Sequence, residues 1–262
     1  MLEHMLAPTV RIHPAKGKGG VGSGVVIFSS RLTVRIAHRK TSKKRTMETL
    51  KIVHTYVLTN WHVIDENISF TYAKQRRMHL GRLSAVREKW EAKRKPLEVQ
   101  VFTFGEQVSR QRKRKYMADI VACSKEMDLA LLRLRSRHLI ADVAPLAPQS
   151  VRLPWFMDVW AVGCPKGLTP IATKGNPSGM WTNEEKKTRL MTTTPTTDGN
   201  SGGGLYYKSL KRDRYEVMGI VTECESDAPH INYCVPIKTI YEFLEKHGFG
   251  FILKAQNTET PA

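Results

Sequence analysis

The sequence lacks the apolar segments that mark membrane-spanning or exported proteins. Its first twenty residues contain no apolar run long enough for a signal peptide. No later segment approaches the roughly 18 consecutive apolar residues that a membrane span requires. These absences predict a cytoplasmic or other intracellular protein without a transmembrane segment, unless the chain is a domain cut from a larger protein or polyprotein.

Cysteine is also scarce, because the chain has only Cys123, Cys164, Cys224 and Cys234. Sparse cysteines at irregular spacing favour a reducing compartment, and the lack of a Cys-x-x-Cys pair argues against a zinc site. A disulfide between Cys224 and Cys234 across a hairpin is a disfavoured alternative. We expect no metal and no organic cofactor.

Acidic residues are few relative to basic ones, with 24 Asp and Glu against 42 Lys and Arg, which gives a formal net charge of +18. A charge of this size produces a broad positive field that attracts polyanions. The densest basic cluster is 110–115, and a second basic segment lies within 71–95. The charge favours nucleic acid or another polyanion as a partner; the alternative is ordinary solvated surface charge.

The most informative segment that is present is a glycine-rich loop, Gly199-Asn200-Ser201-Gly202-Gly203. A glycine two residues before a serine can adopt backbone angles that direct both N–H groups into one small hole. The N–H groups of Gly199 and Ser201 are therefore predicted to form an oxyanion hole. Because a flexible glycine turn is an equally good explanation of the loop alone, the prediction depends on partners elsewhere in the chain.

Two further segments supply those partners. Residues 58–64 place His62 directly after a predicted strand, and residues 127–134 place Asp128 before a run of leucines. A serine hydroxyl becomes nucleophilic when a histidine takes its proton and a carboxylate orients that histidine. We therefore predict His62, Asp128 and Ser201 as catalytic residues. The competing candidates that lack such surroundings are His54, Asp119, Asp142 and Asp158.

The order His, Asp, Ser and the sequences around the three residues resemble trypsin-like and chymotrypsin-like serine peptidases, and most closely the HtrA/Deg-type protease domain. Four more blocks carry the same resemblance: 22–27, 161–168, 217–221 and 234–237. The resemblance covers most of residues 20–248. It implies a serine endopeptidase that works through an acyl-enzyme intermediate on protein or peptide substrates. We expect a protease domain without a PDZ domain, in contrast to the usual HtrA/Deg arrangement.

The fold implied by the resemblance is all-β, with two six-stranded antiparallel β-barrels. Residues 21–140 form the first barrel, with His62 and Asp128. Residues 141–248 form the second, with Ser201 and a closing helix at 237–246. Outside the barrels we expect a flexible basic arm at 1–20 and an unstructured tail at 249–262.

The resemblance also suggests a specificity pocket, with Thr222, Glu223 and Cys224 along one edge and Pro195 on the far wall. No aspartate occupies the base of this pocket, so a small or apolar residue before the cleaved bond is favoured. Glu223 or Glu225 could still attract a basic side chain. Residues 174–179 are a candidate regulatory loop.

The stretch between His62 and Asp128 is longer than expected for the bacterial relatives. Within the excess, at about 71–95, Leu83, Val86 and Trp90 follow one another at three- and four-residue steps. Such spacing predicts a basic amphipathic helix, which could pack on the barrel, bind nucleic acid or lie on an anionic membrane. The alternative functions are a basic scaffold associated with nucleic acid, and a viral-type peptidase that processes a polyprotein and binds nucleic acid.

Overall fold

The computed structural model describes residues 3–14, 20–39, 45–79, 82–105, 111–154, 156–183, 186–225, 228 and 230–258. Most of them lie in strands. The strands are β1 Thr9–Pro14, β2 Gly22–Arg39, β3 Arg45–Thr59, β4 Ile68–His79, β5 Arg82–Arg94, β6 Leu97–Phe104, β7 Gln111–Ser124, β8 Leu129–Leu134, β9 Val159–Gly163, β10 Ile171–Gly175, β11 Pro177–Thr182, β12 Thr188–Thr192, β13 Gly204–Ser209, β14 Arg214–Cys224 and β15 Asn232–Pro236. The helices are α1 Glu3–Leu6, α2 Ile237–Lys246 and α3 Gly250–Thr258.

The first half of the chain forms a closed antiparallel barrel with the strand order β1-β2-β3-β8-β7-β6. Successive side chains of a strand point to opposite faces, so β-branched residues at alternate positions fill the interior. Val10 and Ile12 of β1 pack there with Val26, Val57 and Leu132, and all five are buried. The predicted first barrel is therefore present.

The second half forms a seven-stranded sheet with the order β10-β9-β13-β14-β15-β12-β11. This corrects the predicted strand count of six, because the chain divides at Asn176 into two separate strands, β10 and β11. These two strands occupy opposite ends of the sheet order. The all-β class and the two-part architecture are confirmed.

A shared hydrophobic core joins the two units. Val25 and Leu131 of the barrel pack in the same buried cluster as Val162, Leu205 and Val217 of the second sheet. The apolar surface that each unit presents to the other is thereby removed from water, which is the main force that holds them together.

The predicted basic helix at about 71–95 is wrong. Strands β4 and β5 occupy this segment and pair with each other as a separate two-stranded antiparallel sheet. Leu83, Val86 and Trp90 pair with Met78, Arg76 and Tyr72, and a register shift separates the first of these pairs from the others. A four-residue step equals two strand periods, and one extra residue at a bulge converts a two-residue step into three. The spacing therefore imitates a helix.

Both chain ends are more structured than predicted. β1, within the supposed arm, pairs with β2 and β6 as a strand of the barrel. In the supposed tail, α3 buries Ile252 and Leu253. The Gln256 side chain of α3 donates to the carbonyl of Ile27 at 2.6 Å and accepts from the N–H of Leu146 at 2.8 Å. The predicted boundaries at residues 20 and 249 are therefore corrected.

Helix α2 has the predicted limits and buries Ile237, Ile240, Phe243 and Leu244. All four cysteines are free thiols, including the disfavoured disulfide pair Cys224 and Cys234. None of the helices among the described residues has the length and apolar character needed to cross a membrane.

Candidate active site

His62 and Asp128 meet because β3 and β8 are neighbours. Thr59 of β3 pairs with Ala130 of β8, so the turn after β3 and the turn before β8 lie side by side. His62 Nδ1 is 3.0 Å from each carboxylate oxygen of Asp128, and the His62 backbone N–H donates to Asp128 Oδ1 at 3.2 Å. Two N–H groups of one residue thus hold the carboxylate against the imidazole.

The backbone at Asp128 has φ 54°, in the left-handed region that aspartate tolerates better than most residues. Its carbonyl accepts from Asn60 Nδ2 at 2.9 Å, and its N–H donates to Lys125 O at 3.3 Å. These bonds stabilise a turn that presents the carboxylate to the histidine. Asn60 is buried and lies in the histidine segment at 58–64, but it was not predicted as a site residue.

Thr222 joins the serine to this pair. The register of β14 against β15 shifts between Val221 and Glu223, which makes Thr222 the bulged residue. A bulge redirects the residue that it contains. The Thr222 hydroxyl donates to Asp128 Oδ2, and the Thr222 carbonyl accepts from Ser201 Oγ at 2.9 Å.

The three predicted catalytic residues are thus connected through a fourth. Among the described residues, the Ser201 hydroxyl is bonded to Thr222 and not to His62. Thr222 was predicted as part of a substrate pocket, and its contact with Asp128 was missed, because a bulge in β14 leaves no signal in the sequence.

The loop before Ser201 has defined peptide orientations. Gly199 has φ 93°, and the Asp198 carbonyl accepts from the Lys166 N–H at 2.7 Å. In a trans peptide the C=O and N–H groups point in opposite directions, so the Gly199 N–H points away from Lys166. Within the described part of the chain, the N–H groups of Gly199 and Ser201 donate to no acceptor. Both are therefore available to a ligand.

The residues predicted for the specificity pocket lie around Asn232, which was not predicted as a site residue. Asn232 is buried and pairs with Cys224 across β14 and β15. Its Oδ1 accepts from the hydroxyl of Thr196, the neighbour of Pro195. Asn232 thus connects the two predicted walls, while the side chains of Glu223, Cys224 and Pro195 are exposed.

The competing candidates lie in other surroundings. His54 stacks on Tyr56 with ring centroids 6.3 Å apart. Asp119 pairs with Arg135 at 2.6 Å, and Asp158 pairs with Lys174 at 2.7 Å. Asp142 is exposed in the segment between the two units. The sequence context had disfavoured all four.

A model of the trypsin-like peptidase domain matches residues 22–210. The chain belongs to the trypsin-like peptidase family. The family predicted from the three sequence segments is therefore confirmed. No curated protein matches the sequence.

Solved structures of HtrA-type proteases share the fold of this trypsin-like peptidase. A serine endoprotease from Yersinia pestis is 21% identical with a TM-score of 0.59, over 94% of this chain and 64% of that one. The HtrA-type protease AlgW, in a structure with a tripeptide, is 17% identical with a TM-score of 0.58, over 94% of this chain and 61% of its own. The peptidase spans less than two thirds of either protein.

Burial and the neighbouring carboxylates act in opposite directions on the histidine of this peptidase. Burial lowers the pKa of His62, but the bond to Asp128 and the charge of Asp128 outweigh it, so the pKa is raised above 6.5. Glu223 and Asp65 raise the pKa further. Burial likewise works against ionisation of Asp128, yet its bonds to His62 and Thr222 lower the pKa of the carboxyl. At neutral pH the site therefore contains an ionised aspartate.

The Glu223→Gln substitution is expected to shift the pH dependence of Ser201 reactivity downward. A histidine base must be neutral, so reactivity rises as pH increases through the pKa of His62. Removing a negative charge that stabilises the imidazolium lowers that pKa. The measurement is the rate of labelling by a fluorophosphonate probe between pH 5 and 9, with a rising limb whose midpoint lies above 6.5 in the wild type.

Glu225→Gln is the matched control, because Glu225 directly follows β14 and is not among the main causes that raise the pKa of His62. Its midpoint should equal that of the wild type. Equal midpoints for Glu223→Gln and Glu225→Gln would contradict the electrostatic account.

Proposed function

We propose that this protein is a serine endopeptidase with Ser201 as nucleophile, His62 as general base and acid, and Asp128 as the group that orients His62. The observation that carries the proposal is the continuous set of bonds from His62 through Asp128 and Thr222 to Ser201. His62 and Ser201, which are 139 positions apart in the sequence, are in this way brought into one site.

In the proposed reaction, rotation about one side-chain bond carries the Ser201 hydroxyl from the Thr222 carbonyl to His62 Nε2. As Ser201 Oγ bonds to the substrate carbonyl carbon, its proton passes to His62. The C–N bond then breaks, and the leaving amine receives that proton, which leaves an acyl-enzyme. Water attacks the ester carbonyl and His62 takes a proton from it. The bond between the acyl carbon and Ser201 Oγ then breaks as His62 gives that proton to Ser201 Oγ, which releases the carboxylic acid product.

The negative oxygen of each tetrahedral intermediate would be held by the N–H groups of Gly199 and Ser201. Their lack of an acceptor among the described residues supports this role, because buried or half-buried donors are otherwise paired. Asp128 would remain ionised throughout, because its pKa lies below the ordinary value while that of His62 lies above.

Protein or peptide substrates would pair with the end of β14 and place the side chain before the cleaved bond between Pro195 and Cys224. β13 pairs with β14 as far as Ile220, and Val221 makes backbone hydrogen bonds with Gly202 and Gly203; beyond Val221, no backbone partner lies on this edge of β14 among the described residues. Thr196 and Asn232 at the base are uncharged, which supports a small or apolar side chain at this position. The alternative is a basic side chain at this position, attracted by the exposed carboxylates of Glu223 and Glu225.

The activity is tested with a fluorophosphonate probe, which reacts covalently with activated serines. We expect the wild type to be labelled at Ser201, as located by mass spectrometry of its peptides, and the Ser201→Ala protein to be labelled at least about 10³-fold more slowly. Circular dichroism should show the same fold for both. Persistent labelling of the alanine variant would refute the assignment of Ser201 as nucleophile.

The proposed nucleic-acid partner remains a prediction. Arg112, Lys113, Arg114 and Lys115 are exposed along β7, and Lys115 pairs with Glu98 at 3.0 Å. The side chains of 70–91, in the other basic segment, lie outside the described residues. The scaffold and polyprotein-processing alternatives, the regulatory loop at 174–179 and the intracellular location likewise remain predictions.

A further inference from the structure

Ser23 is a fully buried serine of β2 that lies against the loop carrying the nucleophile. Its backbone N–H donates to the carbonyl of Ser201 at 2.8 Å, and its carbonyl accepts from the hydroxyl of Thr59 at 2.7 Å. The first barrel therefore contacts the reactive serine directly through its backbone. The Gly-Ser-Gly segment at 22–24 was noted only as part of the family resemblance, and no role was predicted for Ser23.

The Ser23 hydroxyl makes two further bonds, and both concern the oxyanion loop. Ser23 Oγ donates to the Gly199 carbonyl at 2.6 Å and accepts from the Cys164 N–H at 2.7 Å. A hydroxyl has one proton to donate, so its single donated bond is spent on Gly199. No water is needed to satisfy this buried hydroxyl, since both of its bonds are made within the protein.

The Gly199 N–H lies in the peptide plane before Gly199, and the plane after it anchors the other side of the α-carbon about which the N–H plane can rotate. Glycine lacks the steric limits that would otherwise restrict this rotation, so neighbouring groups must supply them. The plane before Gly199 is held by the bond from Lys166 N–H to Asp198 O at 2.7 Å. The plane after it is held by the Ser23 hydroxyl.

Both restraints originate in the same short turn. Residues 164–167 supply the N–H of Cys164 to Ser23 and the N–H of Lys166 to Asp198. The turn itself is closed by the Gly167 N–H, which donates to the Cys164 carbonyl at 3.0 Å. A Cβ added at Gly199 would lie 2.6 Å from that carbonyl, so loop and turn are in direct contact.

We propose that the Ser23 hydroxyl is a positioning group that holds the Gly199 N–H in the direction required for the oxyanion hole. The inference rests on the proposed function. The Ser23 hydroxyl contacts no reacting atom, and it acts through the Gly199 carbonyl and the Cys164 N–H to which it is bonded. Loss of the hydroxyl frees the plane after Gly199, while the backbone bonds of Ser23 and the Lys166 restraint are kept.

The substitution Ser23→Ala tests the proposal. Complete loss of one oxyanion donor costs about 10²–10³ in kcat, and one of the two restraints persists, so we expect a fall of about 10- to 100-fold. Because the effect belongs to the transition state, KM should change by less than about twofold. The readouts are the fluorophosphonate labelling rate, and kcat and KM on a peptide selected by library profiling of the wild type.

Ser29→Ala is the matched control. Ser29 lies on the same strand, and its hydroxyl also makes two bonds, with Thr55 Oγ1 at 2.8 Å and with the Ile140 N–H at 3.0 Å. It therefore loses a comparable number of contacts at a distance from the nucleophile loop. We expect its labelling rate and kcat to stay within about twofold of the wild type.

The outcomes separate the inference from the proposed function. An unlabelled wild type overturns both. If the wild type is labelled and Ser23→Ala and Ser29→Ala react at equal rates, only the role of Ser23 is overturned. The same holds if the fall in kcat/KM of Ser23→Ala comes from a higher KM with kcat unchanged. If Ser23→Ala does not fold, Ser23→Cys keeps the packing with a weaker donor, and labelling at the wild-type rate would overturn the proposal.

Discussion

The Asp128→Asn protein is expected to hydrolyse peptides about 10⁴-fold more slowly than the wild type at neutral pH, with its fold unchanged. The carboxylate of Asp128 receives the His62 Nδ1–H, the His62 backbone N–H and the Thr222 hydroxyl. An amide must direct its NH₂ at one of these donors. When it faces Nδ1, the imidazole proton moves to Nε2, and the nitrogen that should accept the serine proton is blocked.

The measurement is kcat on a profiled peptide, together with the fluorophosphonate labelling rate. Asp119→Asn is the matched control, since Asp119 lies on β7, pairs with Arg133 and Arg135 and has no contact with His62. Its kcat should be that of the wild type. A loss below about tenfold for Asp128→Asn would remove Asp128 from the proposed mechanism.

The second large effect is expected at Gly202, directly after the nucleophile. Gly202 has φ 88°, and a Cβ there would lie 2.1 Å from the Ser23 carbonyl oxygen and 2.2 Å from Thr59 Oγ1. Gly202→Ala combines left-handed backbone strain with a collision against a backbone atom that is itself held by hydrogen bonds. We expect a loss of about 3–5 kcal/mol of unfolding free energy and of most fluorophosphonate labelling.

Gly248→Ala separates strain from collision. Gly248 follows α2 with φ 81°, and a Cβ there would meet nothing within 4 Å. Its cost should be the left-handed penalty alone, about 1 kcal/mol, with labelling unchanged. Thermal and urea unfolding of both variants check the difference. Equal losses for the two would show that the close contact at Gly202 is relieved without cost.

The parts of the fold predicted well are those whose signal is local. The strand predicted before His62 is present as β3, and the leucine run after Asp128 forms β8, because continuous apolar runs bounded by turn residues identify buried strands. α2 was predicted at 237–246 from a regular apolar stripe with a glycine after it. The catalytic candidates were found because each sits beside such an element, His62 after β3 and Asp128 before β8.

The errors arose where pairing or packing against another segment decides the structure. The insertion at 71–95 was predicted as a helix because a bulge changes the phase of its apolar residues, and only the register with β4 reveals this. β1 became a barrel strand through pairing with β2 and β6. α3 is stabilised by the burial of Ile252 and Leu253, and the neighbouring sequence does not predict this burial.

The polar contacts of the site also could not be predicted from the sequence. Thr222 and Ser23 are ordinary residue types for strands, and their importance follows only from what folding brings within hydrogen-bond distance. Thr222 meets Asp128 across 94 positions, and Ser23 meets Gly199 across 176. Asn232 was missed for the same reason.

The bulge at Thr222 constrains how the gene for this protein can change. A bulge consists of one extra residue in a strand. A one-residue deletion between Val221 and Glu223 would therefore restore the regular pleat and turn the next side chain toward Asp128 in place of the threonine. Point substitutions in this part of β14 alter one side chain at a time, whereas a frame-preserving codon loss would exchange both the hydroxyl at Asp128 and the carbonyl at Ser201. Indels should therefore be tolerated far less than substitutions along these few codons.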